Sequence, residues 1–361
     1  MRFVLILLVL GLAGARAEDS RPVPVAASRP RVVVVENPAV IDNFRVNDRL
    51  LADSLNRAIL AYTKKSDLRE AWRQFVDPRD VVAIHITTGG GQLLSSNRAL
   101  VDGVVKGLQA AGVPLDNIFV WDKYADDLRI AGYPPGDVGP FRVKAVIPDT
   151  GFDGEKFFFS DLAGQLIWGD RDFRGKNAAS DMLPLSSLDS SGTKAAEPPQ
   201  VSNRSYYAAL LTGRVTKIIN LPVMSNDERI GMAGCVSSLA LAAVDNTRRF
   251  LNASDAAAEA IAEIFAGDVI KPKVALNIMD GTLAQYAGGP HFVPYYCAQP
   301  GLLYVSRDPV AIDTLAVERI EQWRKAKAVD PVGDTAAHLK QAVLQGIGTN
   351  DKTKMEIINL R

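Results

Sequence analysis

The chain has 361 residues, which is enough for one large α/β domain or two smaller ones. Acidic and basic residues are equal at 41 each, and no basic run stands out. A nucleic-acid binder normally needs a basic excess or stripe to neutralise phosphates, so this balance argues against a nucleic-acid partner.

The chain opens MRFVLILLVLGLAGARAEDS, which has the features of a secretory signal. Arg2 is a minimal basic region, an apolar run extends to about Gly14, and the small residue Ala17 marks a cleavage site. The run is shorter than the roughly 20 residues of a membrane span. No cysteine follows it and Arg2 is single, so we expect neither a lipid-type membrane anchor nor twin-arginine export. The sequence therefore predicts a Sec-type signal peptide over 1–17, cleaved after Ala17, and a secreted or periplasmic protein.

From residue 31 onward, apolar β-branched runs alternate with helical patterns. A proline-rich, polar stretch over 18–30 is predicted to be a flexible leader before them. The predicted strands are 31–36, 81–86, 118–121, 143–147, 216–221, 274–278 and 302–305. The predicted helices are 47–62, 97–111 and one from Pro309 onward. The alternation predicts an α/β fold, a three-layer sandwich with a mostly parallel sheet and helices on both faces, formed by a single domain over 31–361.

Two stretches interrupt the alternation. Residues 157–168 have two apolar arms around Ala163 and Gly164, which predicts a β-hairpin. Residues 176–203 are rich in proline and serine and are predicted to form a long inserted surface loop.

Because ligands of open α/β sheets bind at the carboxyl ends of strands, polar residues at those ends are the candidate site. Gly89, Gly90 and Gly91 follow the second strand but lack the spacing and the lysine of a nucleotide-binding loop. Their backbone amides suit an anion, with Ser95 or Ser96 capping the next helix, or they form a flexible turn.

Two histidines are candidates for acid/base chemistry. His85 shares a strand face with Ala83 and Thr87, since side chains alternate along a strand, and is either a core histidine or a site residue at the strand's end. His291 lies in a loop rich in glycine and proline, where a packing role is harder to argue.

The segment DGTLAQYAGGPH resembles a site more than any other stretch of the chain. Asp280, Gln285, Tyr286 and His291 offer a carboxylate, an amide, a phenol and an imidazole on one glycine-rich loop. Such groups line a polar pocket or supply oxygen ligands to a cation. The alternative is a surface loop whose polar side chains only face solvent.

Two further polar residues lie near strand ends. Asn220 stands at the end of the strand that reads TKIINL. Asp308 precedes Pro309, the usual start of a helix, and Asp313 lies one turn in, where it either complements the helix dipole or turns toward the site.

Several chemistries lack their motifs. There is no H-E-x-x-H and no C-x-x-C for zinc, and no G-x-S-x-G for a serine hydrolase. Cys235 and Cys297 are too few for an iron–sulfur cluster, and spacing does not decide whether they form a disulfide. Cofactor, metal and oligomeric state stay unknown at this level.

The sequence resembles the exported branch of domain-of-unknown-function family 362. The resemblance runs from about Val34 to Trp323 and is carried by VAIHIT, TKIINLPVM, GMAGCVSSLA, NIMDGTLAQYAGGP and SRDPVAID. It implies the fold and the compartment, but no activity.

This chain departs from the family pattern at six positions. The pattern has lysine, asparagine, lysine, histidine, lysine and asparagine in place of His85, Thr87, Ser225, Asp227, Ser237 and Ser238. Converging basic residues would suit an anionic ligand or an acid/base role, so their replacement implies a lost or altered function.

The leading hypothesis is a protein that binds a small polar or anionic molecule, or a cation, without efficient chemistry. Its pocket is formed by Asn220, Asp280, Tyr286, His291 and His85. One alternative is a hydrolase or isomerase in which His85 or His291 is the acid/base and Asp280 positions it. Another is an interaction protein that uses the loop over 176–203.

Overall fold

A computed structural model describes residues 29–137, 139–173, 200–251 and 254–361. The predicted signal peptide over 1–17, almost all of the predicted leader, and residues 176–199 of the predicted loop lie outside the described residues. The interaction hypothesis, which uses that loop, therefore stays a prediction.

The described residues form strands and helices in alternation. The strands are β1 (Arg31–Glu36), β2 (Ile41–Asp42), β3 (Arg45–Val46), β4 (Val82–Ile86), β5 (Ile118–Tyr124), β6 (Arg142–Ile147), β7 (Phe152–Gln165), β8 (Val201–Ala208), β9 (Lys217–Leu221), β10 (Val223–Asp227), β11 (Gly231–Ala233), β12 (Val274–Gln285), β13 (Cys297–Ala298), β14 (Leu302–Ser306) and β15 (Glu356–Leu360). The helices are α1 (Asp48–Thr63), α2 (Leu68–Trp72), α3 (Arg98–Ala110), α4 (Ala125–Ile130), α5 (Ala209–Thr212), α6 (Cys235–Ala242), α7 (Arg248–Leu251), α8 (Ser254–Ala266), α9 (Pro309–Ala326) and α10 (Ala337–Leu344).

The main sheet has the strand order β15-β1-β14-β12-β9-β4-β5-β6. The strands β12, β9, β4, β5 and β6 are parallel to one another, and β15 is parallel to β1. Only β14 reverses direction within this order, because it is antiparallel to both β1 and β12. The carboxyl ends of β12, β9, β4 and β5 therefore meet at one edge of the sheet.

Helices cover both faces of this sheet. The helices α1, α2 and α3 pack on one face, where Ile84 and Ile86 of β4 join their core. The helices α6, α8, α9 and α10 cover the other face, which Ala83 of β4 and Trp121 of β5 share. This arrangement confirms the predicted α/β sandwich with a mostly parallel sheet.

Local signals start two of the long helices as their sequences indicate. Asn47 caps α1 by accepting a hydrogen bond from the backbone N–H of Leu50. Asp308 caps α9 by accepting from the backbone N–H of Ala311, with Pro309 at the first helical position.

The predicted β-hairpin over 157–168 is wrong. Ala163 and Gly164 lie inside the single long strand β7, which pairs antiparallel with β8, so that Gly164 is opposite Ser202. The alternating pattern indicates a strand but not its partner. The predicted loop over 176–203 also extends too far, because β8 begins at Val201.

Candidate functional site

A cavity of about 330 Å³ opens at the carboxyl ends of β4 and β5, on the face that α6 covers. We call it the His85 cavity. The two strands contribute His85, Asp122 and Lys123 to its wall, and Thr87 follows directly after β4. The segments that cover it contribute Ser238, Leu241, Asn246, Arg248 and Leu251, with Ile167 and Asp170 beside them. Its volume lies at the lower end of the roughly 300–1,000 Å³ typical of small-molecule sites.

His85 is the most deeply buried titratable group of this wall, with 1% of its surface exposed. Its ring packs against Trp121, with the ring centroids 4.9 Å apart. Burial lowers the pKa of His85, although the nearby charge of Asp122 and a hydrogen bond with Asn220 act in the opposite direction. The imidazole is therefore neutral at pH 7.

Asn220 decides which nitrogen of His85 carries the proton. Its Nδ2 donates to the carbonyl oxygen of Cys235 over 2.8 Å and to Oδ1 of Asn277 over 2.9 Å, so its Oδ1 is an acceptor. Nδ1 of His85 lies 2.8 Å from that oxygen and therefore donates to it. Nε2 of the neutral ring is left as an acceptor, and it has no hydrogen-bond partner among the described residues.

Two hydroxyls of the same wall also lack partners within the described part of the chain. The Oγ1 of Thr87 and the Oγ of Ser238 are buried and make no hydrogen bond. Buried polar groups are nearly always paired, so unpaired ones at a cavity call for an explanation.

Lys123 joins the sheet to the end of α6. Its Nζ donates to the carbonyl oxygens of Leu241 and Val244, over 3.2 Å and 2.6 Å. Burial lowers the pKa of Lys123 to about 8, although the negative charges of Asp170 and Asp245 act to raise it. The last carbonyls of a helix have no partner within the helix, so this ammonium is a structural cap.

The glycine stretch forms a tight turn. Gly91 has a φ of +69°, and its N–H donates to the carbonyl oxygen of Thr88. A Cβ at Gly90 would lie 2.1 Å from the carbonyl oxygen of Leu94. Of the three glycines only Gly89 lines the His85 cavity.

The prediction that Ser95 or Ser96 caps the next helix is wrong. The cap of α3 is Asn97, whose side chain accepts a hydrogen bond from the backbone N–H of Ala99. Ser95 instead donates to the carbonyl oxygens of Thr88 and Gly91, and thereby closes the turn.

Asp280 lies on the opposite face of the sheet from His85. Its Oδ2 accepts from the backbone N–H of Asn97 over 2.9 Å, and its Oδ1 accepts from that of Thr282 over 3.0 Å. Burial raises the pKa of Asp280, although these hydrogen bonds act in the opposite direction. Because α3 begins at this carboxylate, Asp280 holds the helix to the sheet and does not reach the His85 cavity.

His291 does not join Asp280 or His85. It is exposed, and among the described residues its imidazole makes no hydrogen bond. Its carbonyl oxygen accepts from Nε2 of Gln285, while Oε1 of Gln285 accepts from the backbone N–H of Val293. Gln285 is fully buried and therefore holds the loop together.

Tyr286 and Asp313 also have structural partners away from the cavity. The ring of Tyr286 packs on Tyr296, and its carbonyl oxygen accepts from Arg324. The carboxylate of Asp313 accepts from the backbone N–H groups of Cys235 and Val236 at the start of α6. Burial raises the pKa of Asp313 to about 7.

The predicted pocket is thus divided. His85, Asn220 and Gly89 lie at or directly behind the His85 cavity, whereas Asp280, Tyr286 and His291 do not line it. The sequence analysis missed Lys123, Asp127 and Arg248, and it identified Ser238 only as a departure from the family pattern. One signal for Lys123 was present, because it follows Trp121 with strand periodicity, but the predicted strand ended at Trp121.

Fold and cavity together define the class of protein: an α/β protein with a mostly parallel mixed sheet between helical layers. Residues 177–318 match the profile of the family described as Domain of unknown function (DUF362), which supports membership of the chain in that family and confirms the predicted resemblance. Three of the six positions that depart from the family pattern, His85, Thr87 and Ser238, line the cavity.

The chain is also similar to the crystal structure of a protein from Thermotoga maritima, at 9% identity and a TM-score of 0.39. The similarity covers 80% of this chain and 60% of that one, so the chain spans less than two thirds of that protein's length. No curated protein matches the chain.

Three further observations concern metal-binding groups, membrane spans and cysteines in the described part of the chain. Over 29–137, 139–173, 200–251 and 254–361, no three side chains of His, Cys, Asp or Glu are grouped so that they would hold a metal ion. None of the helices in these ranges has the length and apolarity needed to cross a bilayer. Cys235 and Cys297 are both free, so they do not form a disulfide.

Proposed function

We propose that this protein binds a small polar ligand in the His85 cavity. The observation that carries the proposal is the neutral imidazole of His85, whose Nδ1 is held by Asn220 while Nε2 has no partner in the described part of the chain. A ligand that donates a hydrogen bond to Nε2 would satisfy an acceptor that the fold leaves open.

The unpaired hydroxyls of Thr87 and Ser238 support the same proposal. Leaving a buried polar group without a partner costs about 1–3 kcal/mol. A ligand with two or more polar groups would recover part of that cost at each of them. The apolar side chains of Leu241 and Leu251 add a surface for its carbon atoms.

The test is calorimetry and thermal shift with the purified protein against amino acids, sugars, phosphates, carboxylic acids and amines. A ligand that binds the native state raises the apparent melting temperature. We expect His85→Gln to abolish the shift, while the matched control His291→Gln keeps it, because His291 is exposed and lies outside the cavity. If no compound binds, or both variants bind equally well, the proposal is wrong.

A second candidate is catalysis by His85 as a general base, in a hydrolase or an isomerase. It is favoured by the hydrogen-bonded series His85–Asn220–Asn277, which holds a neutral imidazole with its basic Nε2 toward the cavity. Asp280 and His291 have no part in this version. Turnover of the identified ligand that is lost in His85→Gln, with binding kept, would establish catalysis, whereas binding without turnover would exclude it.

We further propose that the chain is exported and that residues 1–17 are removed. The support is the N-terminal sequence pattern alone. Expression of the full chain in a bacterial host, followed by fractionation and intact-mass measurement, tests this. We expect a periplasmic or secreted product that begins at Glu18, and an uncleaved cytoplasmic product would refute it.

A further inference from the structure

The charged residues that line the His85 cavity fall into two groups. Four are neutralised or held by the protein itself. Thr88 donates to Asp122, Lys123 donates to main-chain carbonyl oxygens, and the backbone N–H groups of Ile167 and Asn246 donate to Asp170. The fourth, Arg229, makes a two-point ion pair with Asp227.

Asp127 and Arg248 form the second group. Neither side chain makes a hydrogen bond or an ion pair with any residue in the described part of the chain, although both line the cavity. Asp127 is half-buried on α4, and Arg248 is exposed at the start of α7. The two elements reach the cavity from different parts of the fold, since α4 directly follows β5 whereas α7 follows α6.

Tyr124 lines the same cavity as these two residues. Burial raises the pKa of Tyr124, and the charges of Asp127 and Arg248 act on that phenol in opposite directions. Asp127 and Arg248 line one cavity, and no ion pair joins them. Opposite charges that flank a cavity without meeting leave room for a ligand between them.

We infer that the ligand is a free amino acid, with its ammonium group facing Asp127, its carboxylate facing Arg248 and a donor group facing Nε2 of His85. An anion would leave Asp127 unmatched, and a cation would leave Arg248 unmatched. Arginine suits a carboxylate because its planar guanidinium offers two parallel donors. A cavity of about 330 Å³ accommodates a molecule of this size. This inference rests on the proposed function, because it names the ligand class of the same cavity.

The experiment is calorimetry of the purified protein with each of the twenty L-amino acids, and with propionate and propylamine as probes that carry only one charge. We expect at least one amino acid to bind, and both single-charge probes to bind at least about tenfold more weakly. Asp127→Asn and Arg248→Gln should each weaken binding of the amino acid at least about tenfold. Asp127→Asn should also reduce the difference in affinity between the amino acid and propionate.

The matched controls are Asp126→Asn and Arg129→Gln. These residues form an exposed ion pair with each other on α4, and neither lines the cavity. We expect both to bind like the wild type. Melting temperatures should be unchanged in all four variants, because none of these side chains is fully buried.

The outcomes separate this inference from the proposed function. If sugars, phosphates or single-charge compounds bind in a His85-dependent way and amino acids do not, the amino-acid inference is overturned and the proposed function stands. If an amino acid binds equally well to wild type, Asp127→Asn and Arg248→Gln, the inference is also overturned. If no compound of either panel binds, both are wrong.

Discussion

His85 and Asp280 lie near the same edge of one sheet, on opposite faces, and the difference between them is instructive. Both are buried titratable groups on strands of the parallel part of the sheet. Asp280 has both oxygens occupied by backbone N–H groups, one of them from Asn97 at the start of α3. His85 has one nitrogen occupied and the other open to a cavity.

This difference separates a polar residue whose hydrogen-bonding capacity is filled by the fold from one that keeps an open acceptor. Where the fold supplies all the partners, as for Asp280, the group contributes to stability. Where the fold supplies only enough to orient the group, as for His85, the remaining capacity is available to a ligand. The following predictions test that division, in order of decreasing effect.

The largest effect is expected for Asp280→Ala. The variant loses two hydrogen bonds to a carboxylate and leaves two backbone N–H groups without that acceptor, so its free energy of unfolding should fall by about 3 kcal/mol. Urea denaturation measures the change, with the exposed Asp126→Ala as the control. Ligand affinity of the folded variant should be unchanged. A loss under about 1 kcal/mol would contradict the structural role of Asp280.

Lys123→Met should lower the free energy of unfolding by about 2 kcal/mol at pH 7, because the carbonyl oxygens of Leu241 and Val244 lose their donor. Lys106→Met is the matched control, since Lys106 is exposed on α3. If Lys123→Met and Lys106→Met have the same free energy of unfolding, Lys123 does not cap α6.

The same lysine predicts a pH dependence. The folded-state pKa of Lys123 is lowered to about 8 from 10.5, so above pH 8 the unfolded chain binds more protons at this position than the folded chain. The wild type should therefore gain stability relative to Lys123→Met as the pH rises from about 8 toward 10.5. Denaturation curves of both proteins at each pH check this, and a constant or falling difference would refute it.

Ser237 and Ser238 provide a comparison of neighbouring hydroxyls. The Oγ of Ser237 accepts from the backbone N–H of Gly234 and donates to the carbonyl oxygen of Met232, so Ser237→Ala should cost about 1 kcal/mol of stability. Ser238→Ala removes a buried hydroxyl that lacks a partner in the described part of the chain, so it should change the free energy of unfolding by less than about 0.5 kcal/mol. The same variant should bind the ligand more weakly than the wild type. The opposite pattern would place the binding hydroxyl elsewhere.

The smallest effect is expected for His291→Ala. An exposed side chain without a hydrogen bond should change neither the free energy of unfolding, by more than about 0.5 kcal/mol, nor ligand affinity. A large loss of affinity in this variant alone would restore the 280–291 loop as a binding site.

The sequence by itself determined the local elements of this protein. Apolar periodicity placed seven strands of the main sheet, β1, β4, β5, β6, β9, β12 and β14, together with the helices α1, α3 and α9, and Asp308 before Pro309 identified the cap of α9. These features depend on neighbours within a few residues, which the sequence displays directly. It also placed His85 near the end of a buried strand, facing the same side as Ala83.

Only the tertiary structure decided which polar groups meet. Strand periodicity puts Asp280 on the same side as Ile278, but the choice between the α3 face and the α6 face depends on how β12 pairs with distant strands. Pairing between distant segments also joins β7 to β8. Pairing with β6 extends β5 beyond Trp121, so that the strand includes Lys123. Pairing and register are set by contacts between distant segments, so no local pattern in the sequence could separate Asp280 from His85.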